Sequence, residues 1–171
     1  MVGGKVFERT ANELVLLDEQ NRSLWDRAAI HEGVDLLERS IQLGAHRPVG
    51  IYQLQAAIAA LHAQADSPDA TDWDEIADLY RALQRIHDTP VVRLNRAVAI
   101  AMAEGPEVGL RLIDEVAVEL DGFRPLHAAR ADLLRRAGHR AEAAAAYERA
   151  IAVCANDVER RYLIRRLAEV S

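Results

Sequence analysis

Cysteine, aromatic residues and long apolar runs are all scarce in this chain of 171 residues. The one cysteine, Cys154, excludes an internal disulfide and suits a reducing compartment. No apolar run approaches the length that a membrane-spanning helix needs, and the first residues lack the basic and apolar regions of a signal peptide. We therefore expect a cytoplasmic protein without disulfides.

Sequence signatures of catalysis and of metal binding are also missing. His31 is not followed by a second histidine four residues later, so no zincin pair is present. His62 stands alone on a predicted helix, whereas a metal ion needs three or four donors. The acidic residues between Asp66 and Glu75 fit a loop and a capped first helical turn. We expect no enzyme, no metal and no cofactor; a helical hydrolase assembled from distant residues is the less favoured alternative.

The composition favours helices. Half of the residues are apolar but only 5% are aromatic, and the excess is alanine and leucine, which are strong helix formers. The net charge of −6 argues against non-specific attraction to nucleic acid or to anionic membranes. Residues 124–171 nevertheless contain ten arginines and six acidic residues, a net charge of +4, which leaves −10 for residues 1–123. This basic end could meet an acidic partner, although a solvated helix face is the preferred interpretation.

Capping and turn residues divide the chain into about eight helices. Residues 1–22 are expected to form a tail and a short extended or buried segment, Glu13–Leu17. The first helix should follow an N-cap pair, Ser23 and Asp26, and bury a stripe that consists of Ile30, Val34, Leu37 and Ile41. Further helix ends are expected at Asp72, Thr89-Pro90, Gly105-Pro106, Pro125, Gly138 and Asn156.

A repeat of helix pairs is the most informative pattern. Residues 94–99 align with residues 54–59 at an offset of 40, and Gly138 follows Gly105 by 33 residues, close to the ~34-residue tetratricopeptide period. The last pair has small, turn and aromatic residues where that repeat needs them: Ala131, Gly138, Ala143, Tyr147 and Ala150. We predict an all-α fold of tetratricopeptide-like stacked helical hairpins, an α–α superhelix, over residues 23–171. A generic helical bundle is the alternative.

In such arrays the first helix of each pair lines a concave groove that binds ligands. The amides of Gln55 and Asn95 could bond an extended peptide backbone there, and Arg96 could bind a carboxylate. Superposing the three predicted first helices gives the protein-binding positions Gln55, His62, Asn95, Arg96, Met102, Asp132 and Arg135. The alternative is that these side chains only cap or bridge neighbouring helices.

The last predicted helix carries arginines on two adjoining ridges. Among them, Arg161 and Arg165 could contact DNA phosphates or an acidic protein surface. Arginines near a helix C-terminus also complement the helix dipole and solubilise a capping helix, and this interpretation is preferred.

Several phrases in order carry a resemblance that covers residues 9–169: ELVLLDEQNRSLWDRAAI (13–30), IYQLQAAIAALHAQ (51–64), TDWDEIADLYRAL (71–83), PVVRLNRAVAIAMAEGPEVGLRLID (90–114) and HAARADLLRRAGHRAEAAAAYERAI (127–151). The chain resembles the C-terminal, tetratricopeptide-like extension of a subgroup of bacterial extracytoplasmic-function RNA polymerase sigma factors. Asn21 stands where an aspartate is expected in this family.

The resemblance implies a regulatory domain that modulates transcription initiation by contacting the sigma factor's promoter-binding domains, RNA polymerase or a regulator. Those promoter-binding domains are absent from this sequence, so DNA would be reached only indirectly through them. Faces left exposed by their absence could promote a homodimer. The alternative is a freestanding adaptor that binds an unrelated peptide or self-associates.

Overall fold

The computed structural model describes residues 14–17, 19–44 and 47–171, and the regular structure in them is entirely helical. Two short 3-10 helices, Arg22–Leu24 and Pro68–Ala70, accompany the α-helices. The α-helices are α1 (Arg27–Leu43), α2 (Ile51–Gln64), α3 (Trp73–Ile86), α4 (Pro90–Glu104), α5 (Pro106–Val116), α6 (Arg124–Arg136), α7 (Arg140–Ala152) and α8 (Asp157–Val170). The expected tail and Glu13 lie outside the described residues, and residues 14–16 have no regular secondary structure.

Polar side chains begin several of these helices by accepting a hydrogen bond from a first-turn N–H group. Three predicted caps of this kind are confirmed: Asp72, Thr89 and Asn156. The prediction that Ser23 and Asp26 together cap α1 is correct for Asp26 and wrong for Ser23. Asp26 alone caps α1, with its Oδ1 atom 3.0 Å from the Ala29 nitrogen. Ser23 lies instead in the preceding 3-10 helix and donates to Asn21 Oδ1.

Packing divides the chain into two units, and the first comprises Val15–Asp88. Its helix α2 packs against both α1 and α3. The buried apolar side chains come from α2 and α3: Leu54, Ile58, Ile76, Ala77 and Leu83. The predicted burial of an α1 stripe is wrong, because no residue of α1 is buried and Ile41 is 43% exposed. The physical reason is that α1 packs mainly against one helix, α2, which covers only one of its sides.

Arg22 ties the segment before α1 to the end of α2. Its side chain is buried, and Nη1 donates to the carbonyl oxygens of His62 (3.2 Å) and Ala65 (2.6 Å), which satisfies acceptors that the end of α2 leaves free. Asn21 Oδ1 accepts the Ser23 N–H at 3.1 Å. An asparagine therefore supplies the capping oxygen that an aspartate would supply at this position.

The second unit comprises Leu14 and Thr89–Ser171 among the described residues, and its helices form a stack of helical hairpins. Helices α4 and α5 form one hairpin and α6 and α7 the next; α5 packs on α6, and α8 packs on α7. One continuous core runs through the stack, and the repeat positions Ala131, Ala143, Tyr147 and Ala150 are all buried in it. The predicted fold class, all-α with tetratricopeptide-like stacked hairpins, is confirmed.

Glycines shape this stack at two kinds of position. Gly105 (φ 110°) and Gly138 (φ 82°) occupy the left-handed region at the predicted turns. Gly109 lies where α5 crosses α4 closely. A Cβ atom there would lie 2.3 Å from Ala101 Cβ and 2.8 Å from the Ala97 carbonyl oxygen, so only glycine fits.

Candidate functional site

The most accessible stripe of α4 contains two of the predicted binding residues. Asn95 is exposed and Met102 is half-buried. Val91, which is 40% exposed, and the half-buried Val98 lie on the same side, because the four positions follow one another at steps of four, three and four. We call Val91, Asn95, Val98 and Met102 the α4 stripe. It offers one amide donor and acceptor among apolar side chains, a combination that suits a peptide or a helix face.

Val91 and Val98 do not stand out when the repeats are compared only at equivalent positions. The helical period around Asn95 would have identified both valines. Arg96, which was predicted beside Asn95, is half-buried on the adjacent side of α4.

Two predicted groove residues belong to the first unit. Gln55 is exposed on α2, whereas His62 is half-buried with its ring edge-on to Trp73, the ring centroids being 5.1 Å apart. Burial, followed by the positive charge of Arg22, lowers the pKa of His62 below its ordinary value. Burial therefore favours the neutral form of the His62 ring, which packs against Trp73. A single groove that includes these two residues and those of the second unit remains a prediction.

Asp132 and Arg135 lie at the contact between α6 and α8, within an ion-pair cluster. Asp132 Oδ1 accepts from Arg135 Nη2 at 2.6 Å and from Arg166 Nη2 at 3.4 Å, and Asp132 Oδ2 accepts from Arg136 Nε at 2.7 Å. Burial by itself raises the pKa of Asp132, but the hydrogen bonds and charges of Arg135 and Arg136 outweigh it and lower that pKa. We call Asp132, Arg135, Arg136 and Arg166 the α6–α8 cluster.

One hydrogen bond of the α6–α8 cluster, from Arg166 Nη2 to Asp132 Oδ1, joins α8 to α6. A second ion pair, between Arg124 Nε and Glu159 Oε2 at 2.9 Å, joins the same two helices near their N-termini. The buried Tyr147 contributes to the raised pKa of both Arg135 and Arg166, so the α6–α8 cluster lies next to the core. The carboxylate of Asp132 is thus engaged with α8 and with its own helix, whereas Arg135 pairs with Asp132 within α6.

Arg161 and Arg165 lie on the exposed side of α8. Arg165 stacks over Tyr162, with its guanidinium carbon 5.5 Å from the ring centroid. Ile164, which is 51% exposed, stands between the two arginines. This surface has the form expected both for an acidic-partner site and for the solvated face of a capping helix.

Neither a metal site nor a membrane span is found in the part of the chain that the structure describes. No three histidine, cysteine, aspartate or glutamate side chains gather closely enough there to hold a metal ion. No described helix combines the length and the apolar character that crossing a bilayer requires.

Comparison with known proteins gives one relative. An uncharacterized protein of Rhizobium meliloti (strain 1021) is 45% identical over 150 residues, which cover 88% of this chain and 35% of that protein. The chain thus spans about a third of the relative that it matches. No protein-family profile and no solved structure matches the chain.

Proposed function

We propose that this chain is the regulatory, protein-binding extension of an extracytoplasmic-function sigma factor. It acts in the cytoplasm, without catalysis or a cofactor, and modulates transcription initiation by contacting the sigma factor's promoter-binding domains or a partner protein. The observation that carries this proposal is the α4 stripe, an accessible row of one amide and three apolar side chains on a hairpin stack.

Two further observations support the proposal. The sequence phrases quoted above resemble such extensions over most of the chain. The Rhizobium relative contains a segment of this kind within a protein of which the segment forms only 35%, so this module occurs joined to much additional polypeptide. A helical module in such a chain can contact its neighbouring domains at high effective concentration.

The direct test mixes this chain with the promoter-binding domains of a sigma factor that carries such an extension. The Kd is measured by isothermal titration calorimetry. We expect Asn95→Ala to weaken binding about three- to tenfold, the loss typical of a contributing interface side chain. Arg96→Ala is expected to weaken binding as well, by a smaller factor because the side chain is half-buried.

Glu115→Ala is the matched control, since Glu115 is an exposed residue of α5 outside the α4 stripe. If the Asn95→Ala variant binds as tightly as the unaltered chain, the α4 stripe is not part of the contact. Failure of the unaltered chain to bind the promoter-binding domains, even at low salt, would contradict the proposed function and favour the freestanding adaptor.

A further inference from the structure

The helices of the second unit differ in charge according to their place in the stack. Helices α4 and α6 are the first helices of the two hairpins, and α8, which packs on α7, stands where a third first helix belongs. These three helices contain ten arginines and five acidic residues, a net charge of +5. The second helices, α5 and α7, contain three arginines and five acidic residues, a net charge of −2. First helices line one side of such a stack, so the side that bears the α4 stripe is the basic one.

The basic charge is concentrated around the α6–α8 cluster. Arg166 Nη1 donates to Glu169 Oε2 at 2.8 Å, in addition to the bond from Arg166 to Asp132. Arg165 and Arg166 both lie over the ring of Tyr162, with their guanidinium carbons 5.5 and 5.9 Å from its centroid. Among the described residues, these contacts join two carboxylates, those of Asp132 and Glu169, to four arginines: Arg135, Arg136, Arg165 and Arg166. The local net charge of these side chains is +2.

The α4 stripe lies on the same side of the stack as this basic surface. Met102 and Arg135 are 33 residues apart, the same interval as Gly105 and Gly138, so they occupy equivalent positions of α4 and α6. Helix α4 also packs against α6. The one acidic residue of α4 is Glu104, its last residue. A row of apolar side chains with one amide therefore leads towards a surface with an excess of arginine.

These features select among the possible occupants. The side chains of Arg135 and Arg136 are accessible, being 28% and 36% exposed. A carboxylate suits them, because a guanidinium can pair with both carboxylate oxygens at once. A basic surface is repelled by the local charge. DNA phosphates would pair with the arginines, but they would gain nothing from the valines and the methionine of the α4 stripe, whose burial requires an apolar group.

We propose that the α4 stripe and the α6–α8 cluster together bind an acidic segment of the sigma factor's promoter-binding domains. Apolar side chains of that segment cover the α4 stripe, and its carboxylates pair with the arginines of the α6–α8 cluster. This inference rests on the proposed function and adds to it the chemistry of the partner. It also gives Asp132 a second role, because its carboxylate competes with those of the partner for the same guanidinium groups.

Two substitutions in the α6–α8 cluster should change binding in opposite directions. The Kd is measured by titration calorimetry for the full chain and the promoter-binding domains, supplied as a separate polypeptide. Arg135→Gln should weaken binding about three- to tenfold and reduce the salt dependence of the Kd, since it removes a charge that faces the partner. Asp132→Asn should strengthen binding about threefold, because it removes the competing carboxylate. If the cluster only held α8 in place, both substitutions would weaken binding.

Arg130→Gln is the matched control. It makes the same change of charge in the same helix, but Arg130 lies about 140° around α6 from Arg135 and pairs with Asp114 of α5 at 2.5 Å. We expect it to leave the Kd unchanged. Circular dichroism checks that each variant keeps the helix content of the unaltered chain.

The remaining outcomes separate this inference from the proposed function. If Asn95→Ala weakens binding but Arg135→Gln does not, or if Asp132→Asn weakens it, the acidic partner is refuted and the proposed function stands. An equal loss in Arg130→Gln and Arg135→Gln would show a general effect of charge and would also refute it. Tighter binding of a short DNA duplex than of the promoter-binding domains would overturn the choice of a protein partner. If the unaltered chain does not bind those domains at all, the proposed function fails, and this inference fails with it.

Discussion

The first unit is built from helices of 14 to 17 residues and the second from helices of 11 to 15 residues, yet they bury their side chains to different extents. In the second unit, helices with neighbours on more than one side bury Ile113, Ala131 and Ala150 completely. In the first unit, α1 has one main neighbour and buries nothing. The number of neighbours does not by itself set the depth of burial, because α3 also has one main neighbour yet buries Ile76 completely. What differs is how much of the apolar side of a helix its neighbour covers.

Identical glycine-to-alanine substitutions in the two units should have opposite effects on stability. Gly109→Ala places a methyl group within clashing distance of Ala101 Cβ and the Ala97 carbonyl oxygen, both of which are fixed by α4. We expect a loss of about 1–3 kcal/mol in the free energy of unfolding, because overpacking outweighs the gain in helix propensity. Urea denaturation followed by circular dichroism measures this loss.

Gly33→Ala in α1 is the matched substitution. A Cβ atom at Gly33 meets nothing within 4 Å, so only the helix propensity changes. We expect the first unit to gain up to about 1 kcal/mol, the difference between glycine and alanine inside a helix. Equal losses at both glycines would contradict the close crossing of α4 and α5.

The next largest effect concerns how α8 is held. Asp132→Asn removes a negative charge that three arginines share, and we expect a loss of about 1 kcal/mol, since the cluster is partly exposed. Amide hydrogen exchange in α8 should become faster than in the unaltered chain, whereas exchange in α4 should not change. Glu148→Gln, at an exposed position of α7, is the control and should change neither helix.

The same carboxylate gives a pH dependence with a definite sign. Its pKa is lower in the folded chain than in the unfolded one, so its contribution is complete above the ordinary aspartate pKa of about 3.9 and is lost as the pH falls through the native value. The loss in the free energy of unfolding caused by Asp132→Asn should therefore be smallest at acidic pH, where Asp132 is protonated. A loss that is constant across this pH range would mean that the charge of Asp132 is not what holds α8.

Local features of this fold could be predicted from the sequence, and features set by distant packing could not. The caps Asp72, Thr89 and Asn156 depend on two or three adjacent residues, and their positions were predictable. The engagement of Asp132 with Arg166 depends on where α8 packs, 34 residues further along the chain. Likewise, the apolar period of α1 predicts a helix correctly, but how far a neighbouring helix covers the apolar stripe is a tertiary property.

The smallest expected effect concerns the pKa values of two histidines, one in each unit. His62 has a lowered pKa because of burial and of Arg22, whereas His139 has a raised pKa because of hydrogen bonds to Glu142 and Glu107. The ring of His139 bridges α5 and α7: Nε2 lies 3.0 Å from Glu107 Oε1, and Nδ1 lies 3.4 Å from Glu142 Oε1. Imidazole NMR titration should therefore give two midpoints on opposite sides of the ordinary value of about 6.5.

The two histidines should also respond differently to pH and to mutation. The contribution of His139 to stability is complete below the unfolded pKa and is lost as the pH rises through its raised native pKa. That of His62 is present above the unfolded pKa and is lost as the pH falls through its lowered native pKa. Glu107→Gln should lower the midpoint of His139 and leave that of His62 unchanged. Since Glu107 lies in the first turn of α5 and His139 precedes α7, an unchanged His139 midpoint would show that this bridge between successive hairpins does not persist in solution.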